Sequence, residues 1–361
     1  MTGPEKDDKR IDTLTGLRGA AVLVVFIAHC ANAGYLPRPL GASAGQLGVM
    51  IFFVLSGFLM GMLYLGRPPT GVAIRQYFAA RLGRVLPLFY VIVVLSIIAT
   101  IAGIPWPYPM PDLATIARNA FLVQGTSALW AVPVEVQFYL IFAIGWWLSY
   151  RRGTFSLAAA MSFGLVVAAL SAMQILAFHA HLVPVETVFY YAPYFLTGVA
   201  ISIIRAPLTI WLEPSGRARL LGWIAIAGLI LSIPSLRRAL DASVPVWADP
   251  IAFLAIGAAF LAAMRGAGPF ALLARPLPVF LGELSYSIYL THMIFLTWAE
   301  HWIGIRGGIA GLAISVAVFL VTVGVARLSR GPEQAALARA KRAARPAKHR
   351  AGDHAQLRPS K

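Results

Sequence analysis

The chain is poor in the residues on which most soluble active sites are built. It has one cysteine, Cys30, which excludes an intrachain disulfide and a cysteine-rich metal site. Only 12% of its 361 residues are charged, where a soluble domain carries about 25%. Acids are the scarcest, with 14 Asp and Glu against 30 Lys and Arg, a net charge of +16. There is no phosphate-binding loop, no metal-ligand spacing, no Gly-x-Ser-x-Gly elbow and no obvious internal repeat. No metal or tightly bound cofactor is therefore expected.

What the chain has in excess is apolar length. Hydrophobic residues make up 59% of it and the mean hydropathy is +0.76. The expected fold is all-α, a polytopic membrane bundle of about ten helices. The spans fall near 12–34, 44–65, 85–104, 129–149, 155–178, 187–204, 220–236, 247–264, 277–299 and 308–328. Pro105-Trp106-Pro107 stops the third, and Gly66-Arg67-Pro68-Pro69 breaks the chain after the second.

An even count puts both termini on one side. Placing that side in the cytoplasm gives the inner loops and ends 25 of the 30 basic residues and leaves Arg38, Arg118, Arg237, Arg238 and Arg306 outside. That asymmetry is the positive-inside pattern of a multi-pass protein of the cytoplasmic (inner) membrane, and it removes the nucleic-acid reading of the net charge. The expected organisation is a cytoplasmic N-terminus at 1–11, a membrane domain at 12–328 and a basic cytoplasmic tail at 329–361. The tail is expected to hold a short helix near 332–345 followed by disorder. Residues 6–33 superficially resemble a cleavable leader, but Asp7 and Asp8 spoil its basic region and the charge pattern needs this helix retained.

The few ionisable residues inside apolar runs are the candidates for function. Arg18 and His29 are eleven residues apart, so they share one helix face with a rise of roughly 16 Å. Neutral imidazole is suited to take a proton from a hydroxyl near neutral pH. Neighbouring Cys30 points about 100° away and reads as a small packing residue. Arg81 and Arg84, three apart, share a face at the inner side; they serve as plain anchors or as a bidentate phosphate cradle with Arg75 and Arg67. Glu135 is the one acid within its apolar stretch. It either orients His29, accepts a proton itself, or pairs with Arg18. Ser56-Gly57 within bulky Phe52 to Phe58 reads as close helix packing. Leu284 to His292 carries Ser285, Tyr286, Ser287, Tyr289 and Thr291, hydroxyls spaced to line a cavity. His292 would lie near the outer end of that span, snorkelling or touching an acceptor, and Glu283 would cap or pair at the inner end.

Together these segments resemble the acyltransferase-3 family of integral-membrane acyltransferases, over roughly residues 11–328. Asp12 to Gly19 is similar to the family's opening "LDGLRG", and Arg18 through His29 to its basic residue, ten residues, histidine motif. Gly48 to Phe58 resembles "GVDLFFVLSGF", Arg81-Leu82-Gly83-Arg84 its Arg-x-x-Arg, Trp130 to Tyr139 "WSLSVEEQFY", and Leu284 to His292 "LSYSIYLWH". The chain departs at Met50, where the family usually has aspartate, and at Ala131, Pro133 and Val136, which replace Ser, Ser and the second Glu.

The resemblance implies transfer of an acyl group, acetyl above all, from cytoplasmic acyl-CoA to a hydroxyl of an extracytoplasmic glycan or glycolipid. Its partners are then acyl-CoA, the acceptor and the bilayer, with no nucleic acid and acetyl-CoA only as a substrate. Arg18, Arg81 and Arg84 are expected at the donor, and His29 with Glu135 at the chemistry, by direct base catalysis or through an acyl-histidine. Trp130, Ser285, Tyr286, Tyr289 and His292 are expected to line the cavity. The rival reading is a proton-coupled transporter or glycan exporter, with the same histidine and glutamate as a proton relay.

Overall fold

A computed structural model describes residues 4–151, 153–179, 188–213, 215–242, 244–304 and 306–344. Their helices, in chain order, begin with α1 (Pro4–Asn32), α2 (Gly45–Tyr64), α3 (Gly71–Ile101), α4 (Leu113–Ala120) and α5 (Ala131–Leu148). Next come α6 (Leu157–His179), α7 (Val188–Ile203), α8 (Arg205–Trp211), α9 (Ser215–Leu231) and α10 (Pro234–Ala239). The chain closes with α11 (Pro250–Arg265), α12 (Pro276–Trp302) and α13 (Gly308–Ala343). Among the described residues the sheet content is one small hairpin, β1 (Tyr150–Arg151) antiparallel to β2 (Thr154–Phe155).

Among the described residues, seven helices are long and apolar enough to cross a membrane: α1, α2, α3, α5, α6, α12 and α13. The number reaches nine if each of two bent pairs is one span. These are α7 with α8, bent by 77°, and α11 with the 3-10 turn Gly268–Ala274, bent by 63°. A helix stands at each of the ten expected positions, but α7, α9 and α11 have only 16, 17 and 16 residues. That is short of the ~20 needed to span the hydrocarbon core. Apolar runs overstate helix length here because breakers interrupt them: α9 stops at Leu231, and Pro234 starts a new helix instead.

Two elements differ from expectation in ways that bear on function. The third helix begins at Gly71 rather than near 85, capped by Thr70, whose hydroxyl accepts from the Ala73 N–H at 3.2 Å. It runs unbroken through Pro87, so Arg75, Arg81 and Arg84 lie on a helix and not in a loop cradle. The last helix does not end near 328. It continues through Pro332 to Ala343, and its far half rests on α3 rather than standing free in solvent. Arg75 Nε donates to the Ala344 carbonyl at 3.2 Å. The tail beyond Ala344, where disorder was expected, lies outside the described residues.

Local chemistry sets the other ends. Asp112 caps α4, accepting from the Thr115 N–H at 2.6 Å. Those bonds from Thr115 hold its carboxyl below the usual range. Asp249 caps α11 ahead of Pro250, and Gly266 ends that helix in the left-handed region at φ 57°.

α1 is the axis of the bundle. It packs against α2, α11 and α12, while α2 packs on α7, and α13 on α3 and α12. Because lipid is as apolar as a side chain, such helices are held by close approach rather than by the hydrophobic effect. Gly57 of α2 and Gly198 of α7 show it: a Cβ on either would collide with the other helix's backbone, at Phe195 and Val54. α6 is the opposite case, with Met161, Leu165, Val166 and Met173 exposed on a loosely covered helix that suits contact with lipid.

Candidate active site

The bundle encloses one cavity that collects most of the residues singled out from the sequence. Its volume is about 70 Å³. Its charged lining comes from three helices: Arg18 of α1, Arg81 and Arg84 of α3, and Glu135 of α5. Ser56 of α2, Tyr139 of α5 and Ser285, Tyr286 and Tyr289 of α12 add hydroxyl-bearing side chains. The i, i+3 spacing on α3 turns both arginines to one side, as helix geometry requires.

The electrostatics of this cavity are unbalanced. Among the described residues, none of the three arginines makes an ion pair. Arg81 is buried, its guanidinium lies 5.6 Å from the centre of the Tyr64 ring, and its Nε has no hydrogen-bond partner. Three cations face a single carboxylate, so the space is built for an anion.

Glu135 is held by neutral donors. Ser56 Oγ donates to its Oε1 at 2.9 Å and Tyr139 OH to the same oxygen at 2.7 Å. The Tyr139 carbonyl in turn accepts from Tyr77 OH at 3.0 Å, which anchors this turn of α5 to α3. The expected partnerships of Glu135 with His29 or with Arg18 are not formed. No hydrogen bond or ion pair joins them among the described residues, because the carboxylate already has its donors within α2 and α5. Ser56 was read only as a packing residue, and Tyr139 was given no role. Tyr139 was within reach of sequence reasoning, since it lies four residues after Glu135 and so on the same face. Ser56 carried no comparable signal.

The α12 hydroxyls are engaged by backbone rather than left open. Tyr289 OH donates to the Ala128 carbonyl at 2.7 Å, Tyr286 OH to that of Val85, and Ser285 Oγ to that of Gly282 at 2.8 Å. The tyrosines therefore pin α12 to α3 and to the turn before α5. Glu283 pairs with Arg330 of α13 at 2.7 Å.

Three expected site residues lie elsewhere. Trp130 does not line the cavity. Its ring packs on Tyr191 at 4.7 Å and Phe53 at 5.9 Å, and it faces a separate pocket with Gln124 and Ser127. The first turn of α5 explains this, since Ala131, Val132 and Glu135 point to one side and Trp130, Pro133 and Val134 to the other. His292 neither snorkels nor lines the cavity. It is fully buried, with Nδ1 against the carbonyls of Tyr289 at 2.8 Å and Ile288 at 3.1 Å. His29 is also outside the lining. Its ring stacks obliquely on His292, with centres 5.1 Å apart. The route from cavity to His29 passes through side chains: Tyr289 lines the space, and its ring lies 6.1 Å from that of His292. The cavity lining thus includes Arg18 but not His29, the two residues that the sequence places on one face of α1.

Comparison with known proteins points to an acyltransferase. The chain is 30% identical to the O-acetyltransferase OatA of Staphylococcus aureus strain NCTC 8325 over 169 residues, which covers 38% of this chain and 26% of that one. It is 32% identical over 162 residues to a chain of strain COL provisionally called an O-acetyltransferase, covering 38% and 25%. The chain spans about a quarter of the length of the curated relatives it matches. No solved structure matches it. The model of the acyltransferase domain covers residues 11–328. A match that runs from the first apolar helix to the last, over a bundle whose cavity gathers the arginines and glutamate of the motifs, shows that this chain belongs to the acyltransferase-3 family.

Proposed function

We propose that the protein is an O-acyltransferase of the cytoplasmic membrane, moving an acyl group, acetyl in the first instance, from cytoplasmic acyl-CoA to a hydroxyl of an extracytoplasmic glycan or glycolipid. One observation carries this reading: a cavity within the helices with three unpaired arginines on one side and a hydrogen-bonded carboxylate among hydroxyls on the other. Coenzyme A is polyanionic, and guanidinium forks match its phosphate oxygens. Arg81 and Arg84 of α3 would receive the phosphates, and Arg18 of α1 would help to hold the donor. The acetyl group of the O-acetyltransferase relatives supplies the choice of acyl chain.

In the reaction, His29 takes the proton of the acceptor hydroxyl. The oxygen attacks the thioester carbonyl, the carbon–sulfur bond breaks, and the CoA thiolate recovers the proton from the imidazolium. Glu135, held by Ser56 and Tyr139, contributes a carboxylate facing the arginines across the cavity rather than an orienting partner for His29. For this to occur the acyl end must reach past Tyr289, which lines the cavity and stands 6.1 Å from the His292 ring.

The test is CoA release from acetyl-CoA in native membranes, which carry the acceptor, together with mass spectrometry of surface glycans. His29→Ala is expected to reduce both to background while the protein still accumulates. Solute flux in the parent strain that His29→Ala abolishes, with no acetyl ester gained by the parent, would replace the enzyme with a carrier.

A further inference from the structure

The structure leaves one buried acceptor without a donor, beside the histidine that the proposed reaction uses. His292 Nδ1 lies 2.8 Å from the Tyr289 carbonyl and 3.1 Å from the Ile288 carbonyl. Carbonyl oxygens only accept, so Nδ1 carries the ring proton. In the neutral imidazole the other nitrogen then presents a bare lone pair. That nitrogen, Nε2, is buried and has no partner. A buried polar atom left this way is costly unless something comes to it.

What stands next to it is His29. The ring centres are 5.1 Å apart. The rings are tilted by 51° and no hydrogen bond joins them as they stand, but the separation lets a turn of the His29 side chain carry an N–H within hydrogen-bonding reach of Nε2. The rest of the surround offers no better donor. Phe26 meets His292 edge-on at 6.3 Å, and the Tyr289 ring stands at 6.1 Å with its hydroxyl engaged by Ala128. Tyr108 OH donates to the Leu290 carbonyl at 3.0 Å, and Cys30 is buried in a cluster with Phe26 and Val318. No carboxylate bonds to either imidazole among the described residues.

We infer that His292 is a positioning residue: when the His29 ring turns toward it, its unpartnered Nε2 accepts an N–H from His29, which fixes the tautomer of His29 and leaves the lone pair of its other nitrogen for the acceptor hydroxyl. This rests on the reading of His29 as the base. The device uses a neutral orienting partner in place of the carboxylate common in soluble sites, and that suits a histidine set within lipid, where a second buried charge would carry a large desolvation cost. The proton inventory is simple. The hydrogen shared with His292 stays on His29 throughout, and the one taken from the acceptor leaves with the thiolate.

Two measurements test this. In the intact protein labelled with 15N-histidine, the His292 ring, assigned by its loss in His292→Gln, should show a protonated Nδ1 and a bare, hydrogen-bonded Nε2; a protonated Nε2 overturns the inference. In native membranes, His292→Leu should lower the maximal rate of CoA release about 10- to 100-fold, the range for loss of an orienting partner, with KM for acetyl-CoA unchanged. His292→Gln, whose amide oxygen reaches the Nε2 position, should restore most of that rate. Wild-type kinetics in His292→Leu, or equal losses in Leu and Gln variants that both accumulate, sink it. If His292→Leu does not accumulate, the labelled parent and His292→Gln decide. His29→Ala separates the layers: a fully active His29→Ala removes the base itself, whereas an inactive one beside an unaffected His292→Leu removes only the positioning role.

Discussion

An acid within an apolar helix has to be satisfied, and Glu135 shows how few groups suffice. Two hydroxyls, from Ser56 and Tyr139, converge on one oxygen. Hydrogen bonds to a charged group contribute about 1.5–3 kcal/mol each. If the carboxylate serves the reaction, Ser56→Ala and Tyr139→Phe should each slow CoA release by roughly ten- to a hundredfold. The double variant should fall no lower than Glu135→Gln, since all three act on one group. Unchanged rates in both single variants would show that Glu135 holds its place without them. At this scale Arg18, Arg81, Arg84 and Glu135 were legible before any fold was known, because a charge in a hydrophobic run is conspicuous and expensive. Ser56 was not, because a serine hydroxyl can bond its own helix and is tolerated almost anywhere in a span.

Between helices, the least expected contact joins the C-terminal half of α13 to the arginine-bearing half of α3. Gly83 lies between Arg81 and Arg84, and a Cβ there would come within 2.6 Å of the Ala340 Cβ and 3.7 Å of Leu337. Glu333 strengthens the seam on the α12 side, accepting from Ser287 at 2.6 Å and Ser329 at 2.7 Å. The last helix is therefore a buttress behind Arg81 and Arg84, although it extends past the family domain, which ends at 328. Gly83→Leu should lift it, overpacking typically costing about 1–3 kcal/mol. Limited trypsin digestion would then cut faster at Arg339, Lys341 and Arg342, and KM for acetyl-CoA would rise. A variant as resistant as the parent would mean that the seam yields without separating. Composition hid this element because Arg- and Ala-rich helices look the same whether solvated or docked; the contacts of Gly83 with Ala340, Arg75 with Ala344 and Ser287 with Glu333 distinguish the two.

For the whole molecule the open quantity is the number of crossings. Seven helices satisfy length and hydropathy, and nine do if the bent pairs are each one span. Either odd count puts the chain ends on opposite sides, whereas ten crossings would put both in the cytoplasm with the basic loops. Reporter fusions near residues 4 and 344 are expected to read cytoplasmic at both ends, with α7, α9 and α11 crossing as short, buried or tilted helices. A reporter that reads outside at one end would assign at least one of those three to a re-entrant position.

The sequence alone determined the solvent of this protein, the helical class and the identity of the costly residues, since each depends on local composition and on periodicity along one chain segment. It also ordered the motifs that mark the family. Only the tertiary structure decided which of those residues meet. It put the arginines with Glu135 and Ser56, turned Trp130 to the far side of α5, docked the tail on α3, and buried His292 against His29. These are contacts between helices distant in sequence. They are set by close backbone approach and by the rotation of each helix about its axis, and neither quantity is written in the period of a single span.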